Sequence, residues 1–356
     1  MKVLNKYIAL EVLKGAFITQ IVLLTLFNLF TFTDELKHLG EGNYRLKEII
    51  YYVLLTSPGV FYELLPASAL LGSLFVLGSM GNNRELIAMR AAGLSVLGII
   101  KAVMLAGCVL VMIALIVGEF IAPTAQRMAH MSRVSAQNSQ INVSADYGLW
   151  LREGKKFINI KQVVGDGSLA DLMIYEFDDD LHMHKAIHVD QAMYLGNQEW
   201  QMNKIVSSEI SIEQMTSSYE ETQVWKSSIA PNLLKIVAIL PNNLSMYDLA
   251  GYVKFLKKNN QKSHLYEAAF WGRIVNPLVT FIMLLLATPF VIGIKRGVSA
   301  GERMMLGVLI GMGFNIIDKT VGHLGLIYDL NPPLMAFAPS IAVLLIALFY
   351  LKRVQS

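Results

Sequence analysis

The 356-residue sequence is 54% hydrophobic and only 16% charged, with a mean hydropathy of +0.48, which excludes an ordinary soluble domain and fits a polytopic membrane protein. Its one cysteine, Cys108, lies inside an apolar run, so a disulfide framework and a cysteine-based metal site are excluded. The net charge of +3 is uneven: residues 136–245 carry −6 and the remainder +9.

The N-terminus, Met1 to Lys6, lacks the short apolar core and small-residue cleavage site of a signal peptide, so the first apolar run, Tyr7 to Phe32, is predicted to be a retained span. A polar hinge, Thr33 to Lys47, leads to a second apolar stretch, Glu48 to Met80. That stretch exceeds the ~20 residues a span needs. Pro58 and Pro66 are expected to kink it or to divide a surface turn from the span proper. Met80 to Leu94 is a short polar helix between long apolar ones, with Asn82 or Asn83 as its expected cap and Gly93 as its expected end. Leu86, Met89 and Gly93 fall on one face, with Arg84, Glu85 and Arg90 around them, a pattern suited to docking in a groove of a soluble partner. Ser95 to Ile121 is a third span, and Thr124 to Gln137 is a helical extension beyond Pro123.

From Ile141 to about Leu240 the pattern changes to short β-type runs. They are Leu149–Leu151, Lys156–Val164, Leu172–Phe177, Ala186–Tyr194, Glu199–Val206 and Glu209–Glu213. Turn residues divide them at Gly154, Gly165–Gly167, Asp178–Asp180 and Gly196–Asn197. This spacing predicts an all-β, jelly-roll-like domain with Trp150, Trp200 and Trp225 in its core. Ser245 to Lys258 has the signature of a capped amphipathic helix. Three further spans follow at Ala268 to Ile294, Met304 to Leu326 and, after the break at Pro332-Pro333, Leu334 to Leu351.

The predicted architecture is an α-helical polytopic membrane protein with six transmembrane helices in a three-plus-three plan and an inserted β domain. Residues 1–137 hold three spans with a coupling helix at about 82–93, 138–245 the β domain, 246–262 an amphipathic connecting helix, and 263–356 the last three spans. Lys2, Lys6, Arg84, Arg90, Lys295, Arg296, Arg303, Lys352 and Arg353 cluster at alternate span ends. The positive-inside rule puts those ends and both termini in the cytoplasm, and the acidic β domain outside.

Charges within spans are informative by depth. At the helical rise of ~1.5 Å per residue, Glu63 lies roughly 31 Å from Arg84, Asp318 roughly 22 Å from Arg303 and Glu119 roughly 27 Å from Lys101. In a core of ~30 Å all three sit toward the outer leaflet. Lys37, His38, Arg127, Arg133, Arg273 and Lys319 belong near the same level. Such a collar suits a cargo with an anionic head; snorkelling anchors are the alternative. No P-loop, nucleophile elbow or His-Glu-x-x-His helix is present. His182, His184 and His188 lack a further metal ligand, and Asp178–Asp180 is expected to be a turn.

Asn83-Arg-Glu-Leu-Ile-Ala-Met-Arg-Ala-Ala-Gly93 resembles the coupling-helix signature of the LptF/LptG family, permease subunits of the lipopolysaccharide exporter of Gram-negative bacteria. Leu65-Pro-Ala-Ser-Ala-Leu-Leu-Gly-Ser-Leu74 is similar to that family's second-span motif, and Gly118-Glu-Phe-Ile-Ala-Pro123 to the end of its third span. Gly148-Leu-Trp150 and Phe32-Thr-Asp-Glu-Leu-Lys37 look like the LptG branch.

The resemblance implies an inner-membrane subunit that pairs with an LptF-like sister on a dimer of the ATPase LptB, beside the single-span protein LptC. Its cargo would be lipopolysaccharide, passed on to a periplasmic bridge. ATP and magnesium would be bound by the ATPase, with no cofactor, metal, catalytic residue or nucleic acid in this chain. Glu85, flanked by Arg84 and Arg90, would meet LptB, and Lys37 and Arg133 would face the lipid A phosphates. Thr31, His38 and His130 stand where some members carry basic residues, so phosphate contacts are expected to be fewer or moved, to Arg127 or Lys319 for example. The rival readings are an intramembrane enzyme acting on a lipid-linked glycan through Glu63 or Asp318, a permease of the lipoprotein-releasing type, and the LptF-type paralogue. The three-plus-three plan opposes the second rival, and Gly148-Leu-Trp150 disfavours the third.

Overall fold

The computed structural model describes residues 2–137, 149–163, 168–178, 182–211, 214–227, 229, 241, 244–293 and 300–355. Gly148, the turn at Gly165–Gly167, Asp179, Asp180, Lys295 and Arg296 lie outside the described residues. The chain forms two compact units, one of Met1–Leu39, Ile49–Ala129 and His264–Ser356, the other of Gly40–Glu48 and His130–Ser263.

The first unit is a helical bundle. Its elements are α1 (Lys2–Glu35), α2 (Leu46–Asn82), α3 (Glu85–Ala91), α4 (Val96–Ile116) and α5 (Ala122–Ala136), with α5 continuing into the second unit. A 3₁₀ turn, Leu36–His38, follows α1, and a π-helical turn, Val117–Ile121, joins α4 to α5. After the sheet come α6 (Met246–Lys258) in the second unit and then α7 (His264–Gly293), α8 (Ala300–Ile327) and α9 (Pro332–Gln355). Among the described residues six helical segments are long and apolar enough to cross a membrane: Val3–His38, Leu46–Asn82, Val96–Arg133, His264–Val291, Met305–Ile327 and Pro332–Arg353. Pro58 and Pro66 do not divide the second: α2 runs through both. Pro332 opens α9, since a first-turn proline sacrifices no intrahelical bond.

The bundle core gathers Ile8 and Val12 of α1, Leu65, Leu70 and Leu77 of α2, Val103 and Leu110 of α4, and Met283 and Leu284 of α7. At the α1–α2 crossing, Gly15 and Gly72 meet so closely that a β-carbon on Gly72 would collide with the backbone of Gly15 and Ala16. Along the same seam, Gln20 Nε2 donates to Phe61 O at 3.0 Å, and Asn28 Nδ2 donates to Ser57 Oγ at 2.9 Å.

The second unit holds one antiparallel sheet in the order β1 (Leu149–Glu153), β2 (Lys156–Val163), β3 (Leu169–Phe177), β4 (Met183–Gly196), β5 (Glu199–Ile210) and β6 (Met215–Lys226). Ile158, Ile160, Leu172, Ile174 and Val189 alternate onto one buried face. Trp200 is completely buried, and its indole N–H donates to Ile229 O at 2.8 Å. Trp225 is buried as well, whereas Trp150 is 52% exposed and stacks on Tyr175 at 5.8 Å. The expectation of three core tryptophans is therefore corrected for Trp150, which the alternation puts on the opposite face from Leu149 and Leu151. The runs at Glu199 and Glu209 are one strand, β5, because its register against β4 continues through Ser207 and Ser208. Ser245 caps α6 by accepting from Asp248 N at 3.1 Å.

Candidate functional site

The polar helix between the second and third spans is α3. Its cap is Arg84, not Asn82 or Asn83: Asn82 is the last residue of α2, and Arg84 sits left-handed at φ 63° with no side-chain cap. A non-glycine residue there costs ~1–2 kcal/mol, which makes the α2–α3 joint a tight, strained turn. The other end closes as a Schellman motif. Leu94 N bonds Met89 O and Gly93 N bonds Arg90 O, both at 3.0 Å, with Gly93 at φ +90°.

Leu86 and Met89 are buried in the bundle core, as is Leu94. Of the expected face of Leu86, Met89 and Gly93, only Gly93 is exposed, and the Leu86 and Met89 side chains anchor the helix to its own bundle. The face left outward carries Arg84, Ile87, Ala88 and Arg90, with Ile87 50% exposed. Glu85 is half-buried, and its Oε2 accepts a hydrogen bond from Tyr7 Oη at 3.0 Å. Tyr7 on α1 and Ile87 are residues around α3 that the sequence does not single out, as are Tyr62 and Asn276 in the cluster described next. An exposed isoleucine beside two arginines was the available signal for Ile87, and nothing local pointed to Tyr7.

Along α2 and α4, far from α3, a second polar cluster joins three helices. Arg273 of α7 is only 8% exposed. Its Nη1 donates to Gly118 O in the π turn, and its guanidinium lies 5.4 Å from the centre of the Tyr62 ring. Tyr62 Oη donates to Arg273 O at 3.2 Å, and Asn276 Nδ2 donates to Tyr62 O at 3.4 Å. A β-carbon on Gly118 would strike the Tyr62 ring. Glu63 and Glu119 both act electrostatically on Arg273, and Lys319 acts on Glu63 and on its neighbour Asp318. The structure thus brings Glu63, Glu119, Arg273, Asp318 and Lys319 into one neighbourhood. Arg273, expected among the cargo-facing residues, has its side chain on backbone and ring.

The remaining basic candidates lie at helix ends. Lys37 is exposed and paired with Asp34 at 2.9 Å, and His38 follows it, half-buried, in the 3₁₀ turn. Arg127, His130 and Arg133 recur at three-residue steps along α5, each half-buried. In the sheet the three histidines take separate carboxylates: His182 with Asp178 at 3.6 Å, His184 with Glu176 at 3.8 Å and His188 with Asp171 at 3.0 Å. Lys161 and His188, both bonded to Asp171, hold its carboxyl below the ordinary aspartate range.

Six helices long and apolar enough to cross a membrane, an inserted sheet and a braced polar helix are the features of a multi-pass membrane protein. The profile of the lipopolysaccharide export system permease LptF/LptG family matches residues 6–353. The chain belongs to that family. It is 31% identical over 353 residues to the lipopolysaccharide export system permease protein LptG of Escherichia coli (strain K12), across 99% of this chain and 98% of that protein. It is 29% identical over 351 residues to the protein of the same name from Haemophilus influenzae, across 98% of each.

Proposed function

We propose that this chain is the non-catalytic, LptG-type permease subunit of an ATP-driven lipopolysaccharide exporter in the bacterial inner membrane. A partner ATPase dimer of the LptB kind binds ATP and magnesium and docks on α3 from the cytoplasm. An LptF-like sister and an LptC-like single-span protein complete the assembly. The β domain lies in the periplasm and hands cargo to a bridge. The observation that carries this reading is α3 itself: a helix rooted by Leu86 and Met89 that presents Arg84, Ile87 and Arg90 outward, with Glu85 at its first turn. A partner groove would take Ile87 in an apolar pocket and pair the flanking charges, a helix-in-groove arrangement.

Motion received at α3 then passes into α2, which carries Glu63 midway along its length, and through α4 to the π turn that carries Glu119. Lys37, Arg127, Arg133 and Lys319 supply the cations for an anionic lipid head, with the His38 and His130 rings as further hydrogen-bonding groups, while acyl chains lie along apolar faces of α1, α2 and α8. Drawing several chains out of the bilayer costs ~0.8 kcal/mol for each CH₂ left in water, which is why an external ATPase is needed.

Glu85→Ala is expected to lose co-purification with the ATPase or to uncouple ATP hydrolysis from export; normal assembly with normal export removes the coupling role. Photocrosslinkers next to Lys37 and Arg133 are expected to capture lipopolysaccharide, and labelling confined to phospholipid removes the cargo role.

A further inference from the structure

The Arg273 cluster has a common cause in three prolines. An α-helical carbonyl accepts from the N–H four residues on, and proline has none. Pro66 leaves Tyr62 O without that donor, and Asn276 Nδ2 supplies one from α7. Pro277 leaves Arg273 O without its donor, and Tyr62 Oη supplies one from α2. In the π turn Ala122 N–H reaches back five residues to Val117 O, so the same register would offer Gly118 O to residue 123, which is proline. Arg273 Nη1 fills that place. Each orphaned carbonyl is thus satisfied by a side chain from a neighbouring helix, and two of the bonds run reciprocally between α2 and α7. Pro66 and Pro123, two of the three prolines, lie in stretches picked out in the sequence, Leu65–Leu74 and Gly118–Pro123.

We infer that Tyr62, Asn276 and Arg273 are positioning residues that lock α2, the π turn and α7 into one rigid block. The block holds Glu63 and Glu119, each one residue along from a locked carbonyl, in fixed register. In hydrocarbon a free carbonyl is costly, so the three helices separate only if three groups lose their donors together. This makes the block a fulcrum: the helices can tilt around it but cannot slide past it. The lock stands on helix geometry alone and does not depend on the cargo or the ATPase.

The test restores the missing N–H. Pro277→Ala gives Arg273 O its intrahelical donor, so Tyr62 Oη is no longer required there. Tyr62→Phe in the full chain is expected to lower the thermal midpoint measured in detergent when Pro277 is present and to leave it unchanged in Pro277→Ala. Asn276→Leu with and without Pro66→Ala forms a second, independent cycle. In a Cys108→Ser background, spin labels at Phe75→Cys and Leu278→Cys report the α2–α7 distance. That distribution is expected to be narrow, to broaden at least twofold in Tyr62→Phe, and to narrow again when Pro277→Ala is added. An equal effect of Tyr62→Phe in both backgrounds, or a distance distribution that does not respond, overturns the lock.

Discussion

Glu85 shows how much one hydrogen bond can decide. Its carboxylate is oriented by Tyr7, 78 positions away in sequence, so the charge on α3 is aimed before any partner arrives. A hydrogen bond to a charged group is stronger than a neutral one, and exposure to solvent weakens it. Tyr7→Phe keeps the ring and removes only the donor. The expected outcome is an assembled complex whose export per ATP falls, because the Glu85 carboxylate is no longer held in place. Tyr7→Lys, which returns a donor of similar reach, is expected to restore it. Transport by reconstituted complexes checks both, and unchanged export in Tyr7→Phe would show that the bond does not orient the docking face.

At the scale of single elements, charge and apolar spacing behaved differently as signals. The six spans were legible because long apolar runs have few alternatives in water. The stripe Leu86, Met89 was legible as a buried face, but a stripe does not say what buries it, and here it is the chain's own core. Arg273 showed the same limit: depth follows from counting residues, whereas the direction of a side chain depends on prolines in other helices. Strand β6 was missed because Met215–Lys226 is mostly polar, and it is exposed everywhere but at Trp225; its identity rests on pairing with β5, including Ser207 to Ser218 at 2.8 Å.

Two outcomes belong to elements. Gly72→Ala forces α1 away from α2 at their crossing, and such overpacking costs about 1–3 kcal/mol. A lower unfolding midpoint is expected, with a smaller change for Gly311→Ala, whose β-carbon would meet only ordinary van der Waals contact at Leu70. The second concerns acid. Asp171 has a depressed folded pKa, set first by its bond to Lys161 and then by His188. Its contribution to sheet stability is therefore complete above the ordinary aspartate value and is lost as pH falls through the lower, folded one. Hydrogen exchange across β3 and β4 in the full chain is expected to quicken on that descent. Asp171→Asn is expected to remove the step, and a profile identical to wild type would show that other carboxylates control the sheet.

For the whole molecule, the uneven covering of the helices says which faces await a neighbour. Of the most apolar stretch in each span, 61% is buried in α7 and 56% in α2, but only 6% in α8 and 17% in α9. Hydrocarbon can cover α8 without penalty, so exposure alone does not demand a protein. The glycines sharpen the case. Gly307 and Gly311 turn toward Leu70, Leu71 and Leu74 of α2, while Met305, Leu309, Met312 and Ile316 point outward. One side of α8 is therefore fitted to α2 and the other is apolar and uncovered. In an exporter of two sister subunits, that free side would border the space where acyl chains travel. A photoreactive residue at Met312 is expected to label the sister subunit or lipopolysaccharide in the assembled complex, whereas one at Ala287, buried in α7, labels neither. Capture of phospholipid alone at Met312 would place the cargo path elsewhere and leave α8 as an ordinary lipid-facing span.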